Sequence, residues 1–221
     1  MRNIFKVVCL FMLMACTVQQ KKRVIFFGDS ITEQAVQPGG FITRMNESLE
    51  KNNLQSKYEL IGAGVSSNKI YDLYLRLEND VLSKNPEVVV IFIGVNDVWH
   101  KRLLGTGTDA DKFETFYNAM LKRMTDKNIK VIICTPAVIG ERTDVSNVLD
   151  GELNKYCNII REIAAVHKMP LVDLRKIFTA YDLANNPENK EKGILTTDGV
   201  HLNERGNQLV ADEMWKLISV Q

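Results

Sequence analysis

Histidine is scarce in this chain, with three in 221 residues, and so is cysteine, with four. Imidazole chemistry therefore has few places to reside. So few cysteines exclude a disulfide-built scaffold, and the spacing of Cys134 and Cys157 matches no CxxC metal or redox pattern. Charge of one sign is also missing. The formal net charge is +1 and the longest basic block is Lys21-Lys22-Arg23, which excludes the clustered positive surface of a nucleic-acid binder. No internal repeat, low-complexity tract or Pro/Ser-rich linker divides the sequence, so one domain is expected. A chain of this length buries a sufficient core without metals or disulfides.

Residues 7–15 form an almost unbroken apolar run behind Arg2 and Lys6. The run is too short for a permanent bilayer span and has the form of a secretory signal. Leu13-Met14-Ala15-Cys16 resembles the lipobox of bacterial lipoproteins. That resemblance implies cleavage before Cys16 and a lipid on its thiol. Residues 1–15 are then a signal, 16–22 a tether and 23–221 the folded domain. The protein is expected to be exported and held at a membrane of the bacterial periplasm or outer membrane. The alternative is a plain signal peptide with an incidental cysteine. Cys134 and Cys157, one in a predicted strand and one in a predicted helix, are expected as separate buried thiols.

Five β-rich runs recur, at 23–27, 57–61, 87–93, 130–134 and 170–173. The third contains Val88-Val89-Val90-Ile91-Phe92-Ile93, which suits a central strand covered on both faces. Helical stripes lie between them. Phe113, Phe116, Tyr117, Met120, Leu121 and Met124 form one, and Leu149, Leu153, Tyr156, Ile160, Ile163 and Ala164 another. A last helix is predicted over 204–219. Strand–helix alternation of this kind predicts an α/β fold with a five-stranded parallel sheet and helices on both faces. Right-handed crossovers bring every strand's C-terminal end to one edge, where such sheets bind ligands.

The chemistry-bearing residues cluster at those strand ends. Gly28-Asp29-Ser30-Ile31 follows the first strand, where a serine hydroxyl is exposed but needs a base to become a nucleophile. Taken alone, Asp29 and Ser30 fit a helix cap equally well. Asp198-Gly199-Val200-His201 precedes the final helix, and an acid three residues before a histidine can orient one ring nitrogen and leave the other as base. The order Ser…Asp…His is a known triad order. His167 ends a predicted helix and reads as a cap. His100, after Trp99, has no acid at comparable spacing and is a candidate substrate contact. Gly64 and Asn96 follow the second and third strands and supply donors of the kind an oxyanion needs.

Together, Gly28-Asp29-Ser30-Ile31, Gly64, Gly94-Val95-Asn96-Asp97 and Asp198-x-x-His201 resemble the blocks of the GDSL family of SGNH hydrolases. The resemblance covers about 23–218. It implies a three-layer α/β/α sandwich of flavodoxin-like type, with Ser30 as nucleophile, His201 as base, Asp198 as its acid, and Gly64 and Asn96 in the oxyanion hole. It further implies acyl-ester hydrolysis without a cofactor, with acetylated carbohydrate the leading substrate and a lysophospholipase or thioesterase activity the alternative. Where the family commonly has Asn and Gly flanking its second block, this chain has Gly62 and Ser67.

Three rivals come from the same residues. Gly62-x-Gly64-x-x-Ser67 nearly spells a dinucleotide fingerprint but lacks the third glycine. Asp29, Asp97, Asp198 and His201 would suit a metal-dependent phosphoesterase. A non-catalytic, ligand-binding lipoprotein would have no use for both Ser30 and Asp198-x-x-His201.

Overall fold

The computed structural model describes residues 20–220. The expected signal and Cys16 lie outside the described residues. Five strands, β1 (Lys22–Gly28), β2 (Tyr58–Gly64), β3 (Val88–Phe92), β4 (Lys130–Cys134) and β5 (Leu171–Val172), form one sheet in the order β2-β1-β3-β4-β5. Every pairing is parallel. The helices are α1 (Ser30–Gln34), α2 (Phe41–Lys51), α3 (Ile70–Asp80), α4 (Val95–Leu104), α5 (Ala110–Thr125), α6 (Asp150–His167), α7 (Leu174–Asn185) and α8 (Glu204–Ile218).

Period-two geometry explains why the strands are apolar throughout. Val24 and Phe26 of β1, with Val88 and Val90 of β3, pack on one side against Phe41, Met45, Phe178 and Met214. Ile25, Phe27, Val89 and Ile91 pack on the other side against Leu73, Phe113, Tyr117 and Tyr156. Each fully buried side chain of this kind contributes about 1.5–3 kcal/mol, so two such layers are ample for one domain. The predicted stripes fall on α5, α6 and α8, and Cys134 and Cys157 are separate, buried thiols.

The C-terminal edge departs from expectation at β2. Gly62-Ala63-Gly64 reads as a turn, yet it continues the strand to pair with Phe26-Phe27-Gly28. Helix α1 lies directly on it, and a Cβ on Gly64 would sit 2.0 Å from Glu33 N and 2.4 Å from the Thr32 carbonyl carbon. Only glycine lets these two backbones touch. The dinucleotide rival loses its Gly-rich turn for the same reason.

Candidate active site

Ser30 stands where β1 turns into α1. Gly28 permits that turn, since a Cβ there would meet Thr32 Oγ1 at 2.3 Å and the Phe92 carbonyl oxygen at 2.4 Å. Asp29 is the N-cap, and its carboxylate accepts from Ile31 N at 3.0 Å. The cap is Asp29 and the candidate nucleophile is its neighbour Ser30, so the two readings of this motif fall on adjacent residues. Burial, opposed by the Ile31 amide, pushes the Asp29 carboxyl up to about 7. Asp97, completely buried below, accepts from Ile70 N and is pushed up to about 6 by burial.

His201 reaches Ser30 from the loop between α7 and α8. Its Nδ1 lies 2.7 Å from Asp198 Oδ2, and its Nε2 lies 2.9 Å from Ser30 Oγ. A carboxylate only accepts, so Nδ1 carries the proton and Nε2 accepts from the serine hydroxyl. This is the tautomer a general base requires. Asp198 Oδ1 also accepts from the amides of Val200 (2.9 Å) and His201 (2.8 Å). Burial alone would raise the Asp198 carboxyl, but the His201 ring and these two amides hold it below its ordinary value. A carboxylate held in this way can orient the imidazole.

Asn96, the second residue of α4, is buried, and its Nδ2 donates to the Asn68 carbonyl at 3.2 Å. That bond ties α4 to the turn after β2. In this turn Ser67 holds φ +65°, the left-handed conformation for which glycine is better suited. Ser67 thus takes a left-handed position where the family commonly has glycine. Gly64 does not fit the donor role expected of it. The Val65 amide is the one that crosses to Gly28 O, at 3.2 Å. In a parallel ladder the preceding N–H then points away from β1, and so away from Ser30. Gly64 serves close packing instead.

The Trp99 ring stands edge-on to His201, with centroids 6.3 Å apart, and next to His100 at 5.8 Å. His100 is partly buried, and burial together with the Lys69 charge lowers its pKa. Tyr71 faces the Lys69 ammonium, 5.7 Å from its ring centroid. His167 ends α6 and meets Asn118 Oδ1 at 2.9 Å, while Lys168 provides the C-cap.

Two residues at the site carry no signature in the sequence. Arg76 donates to the carbonyls of Gly28 (2.6 Å) and Ala63 (2.9 Å) and to Asn68 Oδ1 (2.7 Å), fastening β1, β2 and the following turn. Glu141 lies buried beneath the His201 loop. Arg76 reaches back to Gly28 and Glu141 forward to residues 194–196, so no local pattern marks these contacts. The phosphoesterase rival finds no support in the geometry. Among the described residues no three His, Cys, Asp or Glu side chains gather as a metal site.

A hydroxyl, an imidazole and a carboxylate in series on the C-terminal edge of a parallel sheet define a serine hydrolase. The model of the GDSL-like lipase/acylhydrolase family matches residues 26–209, and the chain belongs to that family. It is a carboxylic ester hydrolase. The crystal structure of the acetyl xylan esterase AlAXEase is 61% identical, covers 89% of this chain and 99% of its own, and superposes with a TM-score of 0.88. An acetylxylan esterase of Geobacillus stearothermophilus is 26% identical over 86% of this chain and 90% of its own length. The isoamyl acetate-hydrolyzing esterase 1 homolog of Rattus norvegicus is 24% identical over 89% of this chain and 81% of its own.

Proposed function

We propose that the protein removes acetyl groups from O-acetylated carbohydrate, with acetylated xylan chains as the substrate class, through an acyl-enzyme on Ser30. The series Ser30 Oγ–His201 Nε2 (2.9 Å) and His201 Nδ1–Asp198 Oδ2 (2.7 Å) carries this reading. His201 takes the serine proton as Ser30 Oγ attacks the ester carbonyl. The tetrahedral oxyanion is held by the Ser30 amide and the second N–H of the Asn96 side chain. His201 then protonates the departing sugar oxygen. Water, activated by the same imidazole, releases acetate and restores Ser30. The steps balance without an added cofactor.

The substrate assignment is supported by the two acetylxylan-type esterases above, while the acetate named for the rat homolog points to the same acyl group. Trp99 beside His201 provides an aromatic edge against which a sugar ring can pack. The lipobox-like Leu13-Met14-Ala15-Cys16 supports export and a lipid anchor on Cys16, which would hold the enzyme at the bacterial envelope near polymeric glycan.

Acetylated xylooligosaccharides compared with p-nitrophenyl esters of increasing chain length test this function. The expected order places the acetylated oligosaccharide and p-nitrophenyl acetate first, with kcat/KM falling at least tenfold at butyrate. Ser30→Ala should abolish all of these activities. Preference for butyryl or longer chains would overturn the carbohydrate assignment, and an active Ser30→Ala would overturn the mechanism.

A further inference from the structure

The loop that carries Asp198 and His201 has almost no regular structure. Between the end of α7 and the start of α8, the described residues form only an isolated bridge between Thr196 and Leu202. A sheet ladder therefore does not hold the imidazole in place, and something else must.

The holding group is a carboxylate. Glu141, on the segment that follows β4, is 1% exposed. Its Oε2 accepts from Ile194 N at 2.8 Å, and its Oε1 accepts from Leu195 N at 2.6 Å and Thr196 N at 2.7 Å. Three consecutive amides thus converge on one buried anion. Among the described residues Glu141 makes no ion pair with a basic side chain, so these N–H groups supply its compensation. The main chain on either side of the contact is tied as well. Gly140 N donates to Gly199 O at 2.8 Å, Glu141 N to Glu191 O at 2.9 Å, and Asn186 Nδ2 to Glu141 O at 2.8 Å.

From this base the loop is braced up to the imidazole. Gly199 N donates to Thr196 Oγ1 at 3.0 Å, and Thr197 N to His201 O at 2.8 Å. Thr196 is therefore bonded both to Glu141 below and to the residue beside Asp198 above. An apolar side chain at this position would leave three amides without acceptors, and a glutamine would offer a single acceptor oxygen while setting its own N–H groups against theirs.

We infer that Glu141 is a positioning residue for ester hydrolysis: its carboxylate fixes the backbone of residues 194–196 and thereby holds the Asp198–His201 pair against Ser30. The inference rests on the triad assigned above. Displacement of a catalytic group by about 1 Å can cost on the order of a hundredfold in rate, so an anchor several residues from the chemistry acts on kcat rather than on substrate affinity.

The test compares Glu141→Gln, Glu141→Asp and Arg161→Met with wild type and Ser30→Ala. Arg161→Met breaks the Arg161–Asp173 pair, whose other hydrogen bonds go to Thr135, Asn158 and Lys176 rather than to the loop, and controls for general loss of stability. Hydrolysis of p-nitrophenyl acetate is measured well below each variant's Tm, and the downfield proton NMR signal of His201 Nδ1–H is recorded alongside. Glu141→Gln should lose at least tenfold in kcat with KM within about twofold, and its downfield signal should broaden or vanish. Glu141→Asp keeps the charge with a shorter reach and should fall between the Gln variant and wild type. It carries the test should the Gln variant fail to fold. Arg161→Met should lower Tm while holding kcat within about twofold.

Wild-type kcat and an intact downfield signal in both Glu141 variants would overturn the inference. So would a kcat loss in Arg161→Met matching that of Glu141→Gln at equal Tm. Ser30→Ala keeps the two questions apart, because its inactivity upholds the nucleophile whichever way Glu141 falls.

Discussion

Ser30, His201 and Asp198 differ in how much of their role depends on neighbours. Ser30 needs only the tight β1–α1 turn that Gly28 permits. His201 needs Asp198 to fix its tautomer, and the His201 ring together with two backbone amides holds the Asp198 carboxyl below its ordinary value. Asn96 needs the turn at Asn68, which takes one of its amide hydrogens and orients the other. Asn96→Ala should therefore lower kcat by about 10²–10³-fold, equivalent to about 2.7–4 kcal/mol, with little change in KM. Steady-state kinetics on p-nitrophenyl acetate decide this, and an unchanged kcat would remove Asn96 from the oxyanion site. Each of these residues was legible in the sequence because the motifs are local: an acid three residues from its histidine, a serine after a strand. Gly64 was legible as important but not as to why. Its constraint is a contact with Glu33 and Thr32 across the fold, which spacing within its own segment does not encode.

The elements that carry long apolar stripes were equally legible, namely β3, α5, α6 and α8. The extent of β2 was not, because Gly62-Ala63-Gly64 has the composition of a turn while α1 packing demands glycine within a strand. Helix α7 brings a feature of its own. Asp182 on that helix is 2% exposed, and its Oδ1 has no hydrogen-bond partner. Burial, reinforced by the negative charge of Glu141, pushes its carboxyl up to about 7. Below about pH 4 the folded and unfolded chains both hold this proton. Between there and about 7 the unfolded chain has released it and the folded chain has not, so stability falls as pH rises and then levels off. Asp29 and Asp97 act in the same direction over nearly the same window. Asp182→Asn removes one of the three, and the decline in stability between about pH 4 and pH 8 should shrink by roughly 1–3 kcal/mol. Thermal melts across that range provide the check, and an identical decline in wild type and variant would contradict it.

The whole molecule is a device for bringing distant segments to one sheet edge. Strand order β2-β1-β3-β4-β5 places Ser30 at the end of the second position, between the turn bearing Asn68 and the helix bearing Asn96. The chain then supplies His201 from 171 residues away. Parallel topology was readable from strand–helix alternation, and with it the edge where function resides. The irregular loop between α7 and α8 was not readable, since Glu141 secures it through backbone amides that any sequence possesses. Similarity to AlAXEase over 89% of this chain extends to this architecture as a unit. Under the proposed mechanism one serine among many, Ser30, is activated by its imidazole. Treating the protein with diethyl p-nitrophenyl phosphate and mapping the adduct by tryptic mass spectrometry tests it most directly. One diethylphosphoryl group per chain is expected, on Ser30 within peptide 24–44, formed in step with loss of esterase activity and absent from His201→Ala. Complete inactivation with the label elsewhere, or undiminished labelling of Ser30 in His201→Ala, would contradict it.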